Sequence, residues 1–195
     1  VVTFTTEDGE TLEADYQPGS SSDLGGVVLL HMIPPTHDRT GFPPRVRSEL
    51  AGQDVAILNV DRRGAGGSTG EPEDAYVGEG GRLDVEAAVR FLTSEERDCP
   101  IDPAKLVLVG ASNGTTSTYD YVVASTLGLS PELPFPAAMI FMSPGLYTQN
   151  QNALEPNQAD RGWSLSFPIL WVYPEEETYS EAFVPDAPGA WDFLE

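Results

Sequence analysis

One short segment of the sequence carries the residue types of a covalent catalyst. Residues 110–114 read G-x-S-x-G, with Ser112 at the centre, and they directly follow the apolar run 106–109. A serine in a sharp strand-to-helix turn exposes its hydroxyl above the edge of a sheet, and glycines on both sides relieve crowding there. The N–H groups at the start of the next helix favour developing negative charge. The spacing therefore predicts Ser112 as a nucleophile.

A serine nucleophile needs a base, and the sequence has only 2 histidines, both near its start. His31 follows an apolar run, and His37 lies in the polar stretch 36–39, where we expect a solvated loop residue. The two histidines lie on one proline-containing loop at i and i+6, a spacing that matches no metal-ligand pattern. We therefore predict no metal and no cofactor.

The elements that would position these residues follow from hydrophobic periodicity. Strands are predicted at Val1–Thr6, Leu12–Gln17, Val27–His31, Val55–Val60, Leu106–Val109, Ala137–Met142 and Ile169–Tyr173. Helices are predicted at Val46–Gly52, Arg82–Thr93 and Asn113–Leu127. Buried strands that alternate with helices are typical of a parallel sheet covered on both faces. We predict one α/β domain over residues 1–195, doubly wound and mostly parallel, with an antiparallel hairpin at its N-terminus.

The charge balance argues against two classes of partner. The chain has 31 Asp and Glu against 10 Lys and Arg, a net charge of −21, which repels phosphate backbones and anionic headgroups. No apolar run approaches the roughly 20 residues of a membrane span. We expect a small-molecule substrate, no nucleic acid and no membrane insertion. Acidity and the absent initiator Met favour an extracellular or cell-surface location, and no feature of the sequence indicates an oligomeric state.

Two further segments accompany the serine motif. Residues 31–35 follow one buried strand, and residues 61–68 follow the next and read D-x-R-G-x-G-x-S. With the G-x-S-x-G segment after them, the chain resembles the α/β-hydrolase superfamily, of the small, lidless esterase or dienelactone-hydrolase-like kind. The resemblance covers Val1 to Tyr173. It implies the α/β-hydrolase fold and a serine hydrolase that cleaves an ester-like small molecule through an acyl-enzyme.

The resemblance also implies roles for individual residues. Ser112 would be the nucleophile, and the backbone N–H of Asn113 one donor of the oxyanion hole. The second donor would be the N–H of Ile33, or of Met32 if the loop register differs by one, since the prolines that follow have no N–H. His31 would pack and hydrogen-bond its own loop. Three arginines are expected to anchor backbone, with binding of an anionic substrate as the alternative: Arg39, Arg62 and Arg63.

In this superfamily the acid follows a later strand, here the one predicted at Ile169–Tyr173. The superfamily's spacing favours Glu177, and a loop shift of one or two residues leaves Glu175 and Glu176 open. A solvated acidic turn is the other interpretation of these three residues. No cap domain is expected, because residues 146–166 are too few to form one.

The base histidine would follow the acid, and none does before Glu195. We favour the interpretation that the last strand, the last helix and the base lie just beyond the sequence given. Two alternatives stay open. One is a catalytically inactive binding protein on the same fold, and the other is a displaced base, His31 or His37.

Overall fold

The computed structural model describes residues 1–20, 24–76, 79–94, 101–143 and 168–172, with only the backbone of Trp171. Its strands are β1 (Val2–Thr5), β2 (Thr11–Gln17), β3 (Gly26–Leu30), β4 (Ala56–Val60), β5 (Leu106–Ala111), β6 (Ala138–Met142) and β7 (Ile169–Val172). They form one sheet in the order β1-β2-β4-β3-β5-β6-β7. Strands β3 to β7 run parallel, and β1 and β2 form the antiparallel hairpin. The predicted mostly parallel sheet with an N-terminal hairpin is confirmed.

Within the described residues, three helices connect the parallel strands β3 to β6. They are α1 (Pro44–Ala51), α2 (Gly80–Thr93) and α3 (Gly114–Thr126), and short 3₁₀ turns lie at Arg39–Gly41, Pro72–Ala75 and Pro103–Lys105. Helix α1 begins two residues before its predicted start, because a proline suits the first helical position. The 3₁₀ turns were not predicted, since such short turns have no hydrophobic period.

The two faces of the sheet carry separate apolar clusters. On one face α2 and α3 pack on the strands, and the predicted stripe of α2 is buried as expected: Val85, Ala88, Val89 and Leu92. On the other face, Leu50 and Ala51 of α1 pack with a smaller cluster: Val27, Leu29, Phe42, Ile57 and Val109. Helices therefore cover both faces, and the strands are apolar on both sides for that reason.

Helix α3 forms despite poor helix propensity. Its sequence is rich in Thr and Val, which lose side-chain freedom in a helix. Most of its residues are buried, 10 of 13, and it packs against β5 and α2. The hydroxyl of Thr118 donates to the carbonyl of Thr115 (2.8 Å). Tertiary packing therefore determines this helix, as it does for most helices in proteins.

Several predictions concern residues outside the described part of the chain. They include the acid candidates Glu175, Glu176 and Glu177, the segment 146–166 and the end of the last predicted strand at Tyr173. Among the described helices, none has both the length and the apolar character required to cross a bilayer.

Candidate active site

The G-x-S-x-G segment forms a tight turn between β5 and α3. Ser112 adopts a φ of 49°, in the left-handed region that L-residues rarely occupy. At Gly110 a Cβ would lie 2.6 Å from both Cα and N of Thr115, so the turn itself requires glycine there. At Gly114 a Cβ would collide with carbonyl oxygens of Leu30 and His31. The second glycine therefore has a different reason from the first, the close approach of α3 to the end of β3.

Backbone hydrogen bonds hold this turn at the carboxyl edge of the sheet. The N–H of Ser112 donates to the carbonyl of Met142 (2.7 Å), where β6 ends. The N–H of Ser143 in turn donates to the carbonyl of Val172 (2.8 Å), where β7 ends. Ser143 also has a positive φ, 50°. Two serines with strained backbones thus lie side by side after β5 and β6.

A cavity of about 150 Å³ opens at this edge. Ser112, Ser143 and His31 contribute its polar residues, and the rest of its lining is Met32, Gly41, Phe42, Pro43, Ala111 and Met142. The lining is therefore mainly apolar. Met32 lines the cavity and Ile33 does not. Of the two alternatives for the second oxyanion donor, Met32 is therefore the one that borders the cavity.

His31 is 1% exposed, and both of its ring nitrogens are engaged. Nε2 accepts from the backbone N–H of Arg62 (2.9 Å), and Nδ1 lies 2.7 Å from the carbonyl oxygen of Met32. Because a backbone N–H only donates and a carbonyl only accepts, the proton resides on Nδ1. Burial, with a further contribution from the Arg62 charge, lowers the pKa of His31 to about 3. The expected bond to its own loop is confirmed, and His31 has no nitrogen left to accept a proton from Ser112.

His37 contacts the same loop through its backbone. Its N–H donates to the carbonyl of Ile33 (3.1 Å), and its side chain is half-buried. His37 is not among the residues that line the cavity. Neither histidine is therefore placed as a base for Ser112 in the described arrangement.

The side chain of Arg62 joins the segments around the cavity. Its Nη1 donates to Asn113 Oδ1 (2.8 Å) and to the carbonyls of His31 (3.3 Å) and Met32 (3.4 Å). Its Nη2 donates to Ser117 Oγ (2.8 Å) and to the carbonyl of Ala75. The side chain is fully buried, and burial lowers its pKa to about 10 although Asp84 opposes this shift. Arg62 anchors backbone, as expected, and the binding of an anionic substrate has no support at a side chain that solvent does not reach.

The remainder of the D-x-R-G-x-G-x-S segment forms a closed turn. The carboxylate of Asp61 accepts from the N–H groups of Arg39 (2.8 Å) and Gly67 (3.0 Å), and it pairs with the Arg39 guanidinium. Gly66 has a φ of 54°, and a Cβ there would overlap the Asp61 carboxylate. The hydroxyl of Ser68 donates to the carbonyl of Asp61 (2.6 Å). This turn fixes the segment that carries Arg62.

Arg63 points into a different environment from Arg62. Its backbone N–H and Nε donate to the two carboxylate oxygens of Asp84 (2.9 and 2.8 Å), and its Nη1 pairs with Asp8 (2.7 Å). Burial by itself would lower the pKa of Arg63, but the hydrogen bonds and charges of Asp8 and Asp84 raise it above its ordinary value. Arg63 therefore remains charged and joins Asp8 to Asp84.

Sequence reasoning missed part of the cavity lining. Gly41, Phe42 and Pro43 come from the segment before α1, and nothing in their local pattern connects them with Ser112. Ser143 was also missed, although the rule that sites lie at the carboxyl ends of parallel strands would have indicated it. In the described ranges no group of three or more His, Cys, Asp or Glu has the arrangement of a metal site.

Comparison with solved structures places the fold of this chain among α/β-hydrolase folds. The α/β-hydrolase GrgF from Penicillium sp. sh18 superposes with a TM-score of 0.58 at 22% identity, over 85% of this chain and 54% of GrgF. The Pyrococcus furiosus esterase Pf2001 superposes with a TM-score of 0.54 at 23% identity, over 71% of this chain and 47% of the esterase chain. Est1E of Butyrivibrio proteoclasticus, solved with ferulic acid bound, gives 0.56 at 20% identity, over 76% of this chain and 54% of its own.

Sequence comparison identifies relatives whose function is not described. Two uncharacterized proteins from two strains of Mycobacterium tuberculosis are 31% identical to this chain over 147 residues, which is 73% of the chain. The chain spans 44% of the length of these curated relatives. No family model matches the sequence.

Proposed function

The chain has the α/β-hydrolase fold, and we propose that it is a serine hydrolase that cleaves an ester-like small molecule through an acyl-enzyme. One observation carries this proposal. Ser112 lies in a strained left-handed turn between β5 and α3, and it lines a cavity that residues of the loop after β3 also line. Strained backbone held by its surroundings is typical of catalytic positions.

In the proposed reaction the hydroxyl of Ser112 attacks the carbonyl carbon of the ester while a base takes its proton. The tetrahedral oxyanion then accepts hydrogen bonds from the N–H of Asn113 and from a second N–H, that of Met32 or Ile33. The lining set favours Met32, because Met32 borders the cavity beside Ser112. Collapse of the intermediate expels the alcohol and leaves an acyl-enzyme, which water hydrolyses.

We propose that the base is a histidine outside these 195 residues and that Glu177 orients it. Two observations support the placement of the base, and Glu177 rests on the spacing alone. Both ring nitrogens of His31 are engaged in hydrogen bonds to backbone groups. The chain also spans only 44% of the length of its curated relatives, and 54% or less of the solved structures described above.

The described lining of the cavity favours a small, apolar substrate group. A volume of about 150 Å³ is close to the space that a benzene ring occupies in a protein interior. Its apolar lining and the net charge of −21 both disfavour an anionic group. We therefore propose esters with a short, uncharged acyl group, and p-nitrophenyl butyrate is a suitable probe.

A fluorophosphonate probe tests the nucleophile directly, because such probes modify activated serines. With the protein expressed from its complete reading frame, we expect labelling that is lost in Ser112→Ala. Ser143→Ala is the matched control, because Ser143 shares the cavity and the positive φ of Ser112. Labelling that disappears in Ser143→Ala and persists in Ser112→Ala would identify Ser143 as the nucleophile and contradict the proposal for Ser112. Absence of labelling in the wild-type protein would instead indicate an inactive binding protein.

A further inference from the structure

The guanidinium of Arg62 is a buried cation whose hydrogen-bond acceptors are all neutral. Within the described residues these acceptors are three backbone carbonyls, the amide oxygen of Asn113 and the hydroxyl of Ser117. Its Nε is buried and has no hydrogen-bond partner in the same part of the chain. A buried charge normally has an ionic partner, because desolvation is otherwise expensive. Among the residues that the structure describes, no carboxylate therefore makes a hydrogen bond or ion pair with Arg62, and Asp84 acts on it only through its charge.

The carbonyls that Arg62 binds belong to the peptide units of both candidate oxyanion donors. The carbonyl of His31 and the N–H of Met32 are parts of one planar peptide, and so are the carbonyl of Met32 and the N–H of Ile33. In a trans peptide the N–H points opposite to the C=O. Since Arg62 holds both carbonyls on its own side, both N–H groups are directed away from the guanidinium.

The same guanidinium also fixes the other side of the site. Nη1 donates to the side chain of Asn113, whose backbone N–H is the remaining candidate donor. Nη2 holds Ser117 in the first turns of α3. One side chain thus sets the loop after β3 against the turn after β5, two segments that are far apart in sequence.

We propose that Arg62 is the positioning residue of the oxyanion hole, and that its buried charge, which is bound by neutral acceptors in the described part of the chain, favours the negative charge that develops on the substrate's carbonyl oxygen. The inference rests on the proposed hydrolase function. In this proposal Arg62 acts through Met32, Ile33 and Asn113, and it does not contact the substrate. The lowered pKa of Arg62, about 10, still leaves it protonated at neutral pH.

A pair of reversible inhibitors separates this role from simple structural support. A trifluoromethyl ketone adds to the serine as a hemiketal oxyanion, whereas the matching methyl ketone binds as a neutral ground-state analogue. The ratio of their dissociation constants therefore measures how much the site prefers the anion. We expect Arg62→Met to reduce this ratio about 10–100-fold and to change methyl ketone binding little. The effect should be smaller than the roughly 10²–10³-fold for removal of an oxyanion donor itself, because Arg62 acts through the donors.

Two further variants control for folding. Arg63→Met removes a buried guanidinium from the neighbouring residue, and it should lower the stability of the fold but leave the inhibitor ratio unchanged. Arg62→Lys retains the charge and loses the two-nitrogen fork, so it should restore part of the ratio. If Arg62→Met does not fold, Arg62→Lys decides alone on the positioning role: a ratio equal to that of wild type would overturn it, because the fork that joins the two segments is then not needed.

The outcomes distinguish this inference from the proposed function. A wild-type protein that prefers the trifluoromethyl ketone, with an unchanged preference in Arg62→Met, rejects the role of Arg62 and retains the hydrolase. An equal fall of the ratio in Arg63→Met also rejects it, because general destabilisation would then explain the effect. A wild-type protein with no preference rejects both the proposed function and the inference that rests on it.

Discussion

Arg62 and Arg63 are adjacent in the chain and both buried, but they belong to two regions with different electrostatics. Arg62 serves the site edge, which we define as residues 31–33 and 112–114. Arg63 serves the acidic network, which consists of Arg63, Asp8 and Asp84. In the network two carboxylates neutralise the guanidinium. At the site edge the described acceptors are carbonyl, amide and hydroxyl oxygens.

If the proposed function holds, one turn serves stability through Arg63 and chemistry through Arg62. A paired charge is at its lowest energy in the folded resting state and gains little from a new anion nearby. A charge solvated by neutral dipoles still attracts negative charge, and it can stabilise one that appears during a reaction. We therefore expect changes at the site edge to affect activity most, and changes in the acidic network to affect stability most.

The largest expected effect comes from removing the nucleophile at the site edge. Ser112→Ala should lower kcat/KM for p-nitrophenyl butyrate by about 10⁴-fold or more, because the acyl-enzyme can no longer form. The urea unfolding midpoint should move little, since the change removes one atom from a half-buried side chain at a cavity wall. A variant that keeps a tenth or more of wild-type activity would contradict the assignment.

A change in the acidic network should have the opposite profile. Asp84→Leu leaves the buried Arg63 without its main partner and should reduce the free energy of unfolding by about 3–5 kcal/mol. The double variant with Arg63→Met should recover much of this loss, as measured by urea denaturation. Asp8→Asn is the control, because the Asp8 side chain is 37% exposed and its ion pair should contribute about 1 kcal/mol or less. Additive losses in the double variant would show that the pair is not coupled.

The acidity of the solvent should affect the site edge through His31. Burial, with the Arg62 charge adding to it, lowers the pKa of His31 from 6.5 to about 3 in the folded state. As the pH falls below 6.5, His31 therefore becomes protonated in the unfolded chain before it does in the folded protein. The stability that the fold gains from keeping His31 neutral is lost over this range. The loss should be about 1.4 kcal/mol per pH unit down to about pH 3.

The variant His31→Gln isolates this contribution, because it does not titrate. Urea unfolding from pH 7 to pH 4.5 should show a steeper loss of stability in the wild type than in His31→Gln. The carboxylates titrate in both proteins, so only the difference between the two slopes is informative. Equal slopes would mean that His31 is not held neutral in the fold.

The smallest expected effect concerns backbone strain at Ser112. Glycine adopts a positive φ readily, so Ser112→Gly should be more stable than Ser112→Ala by about 0.5–1 kcal/mol, after allowance for the greater freedom of glycine in the unfolded chain. Ser48→Gly in α1 is the matched control, and it should lower stability because Ser48 is helical. If Ser112→Gly and Ser112→Ala unfold at the same urea concentration, the strained conformation carries no measurable energy.

Much of the fold could be predicted from local patterns. Apolar runs placed the parallel strands, and the 3.6-residue period placed α2. The connection between buried parallel strands required α3, whose propensity alone would not have indicated a helix. The site could be predicted less completely. The turn around Ser112 follows from glycine spacing, but the contribution of residues 41–43 to the cavity depends on how the segment before α1 folds back.

The sequence by itself determined the order of the elements and the glycines around Ser112, because periodicity and steric crowding act between residues close in the chain. Only the tertiary structure decided the partners of the charged side chains. Arg62 reaches Asn113 across 51 positions and His31 across 31. No local signal distinguishes it from Arg63, which reaches Asp8 across 55. The Arg62 guanidinium lies among neutral dipoles, and the Arg63 guanidinium lies among carboxylates, although both side chains leave the same turn. That arrangement exists only after β2, β3, β4 and β5 have paired.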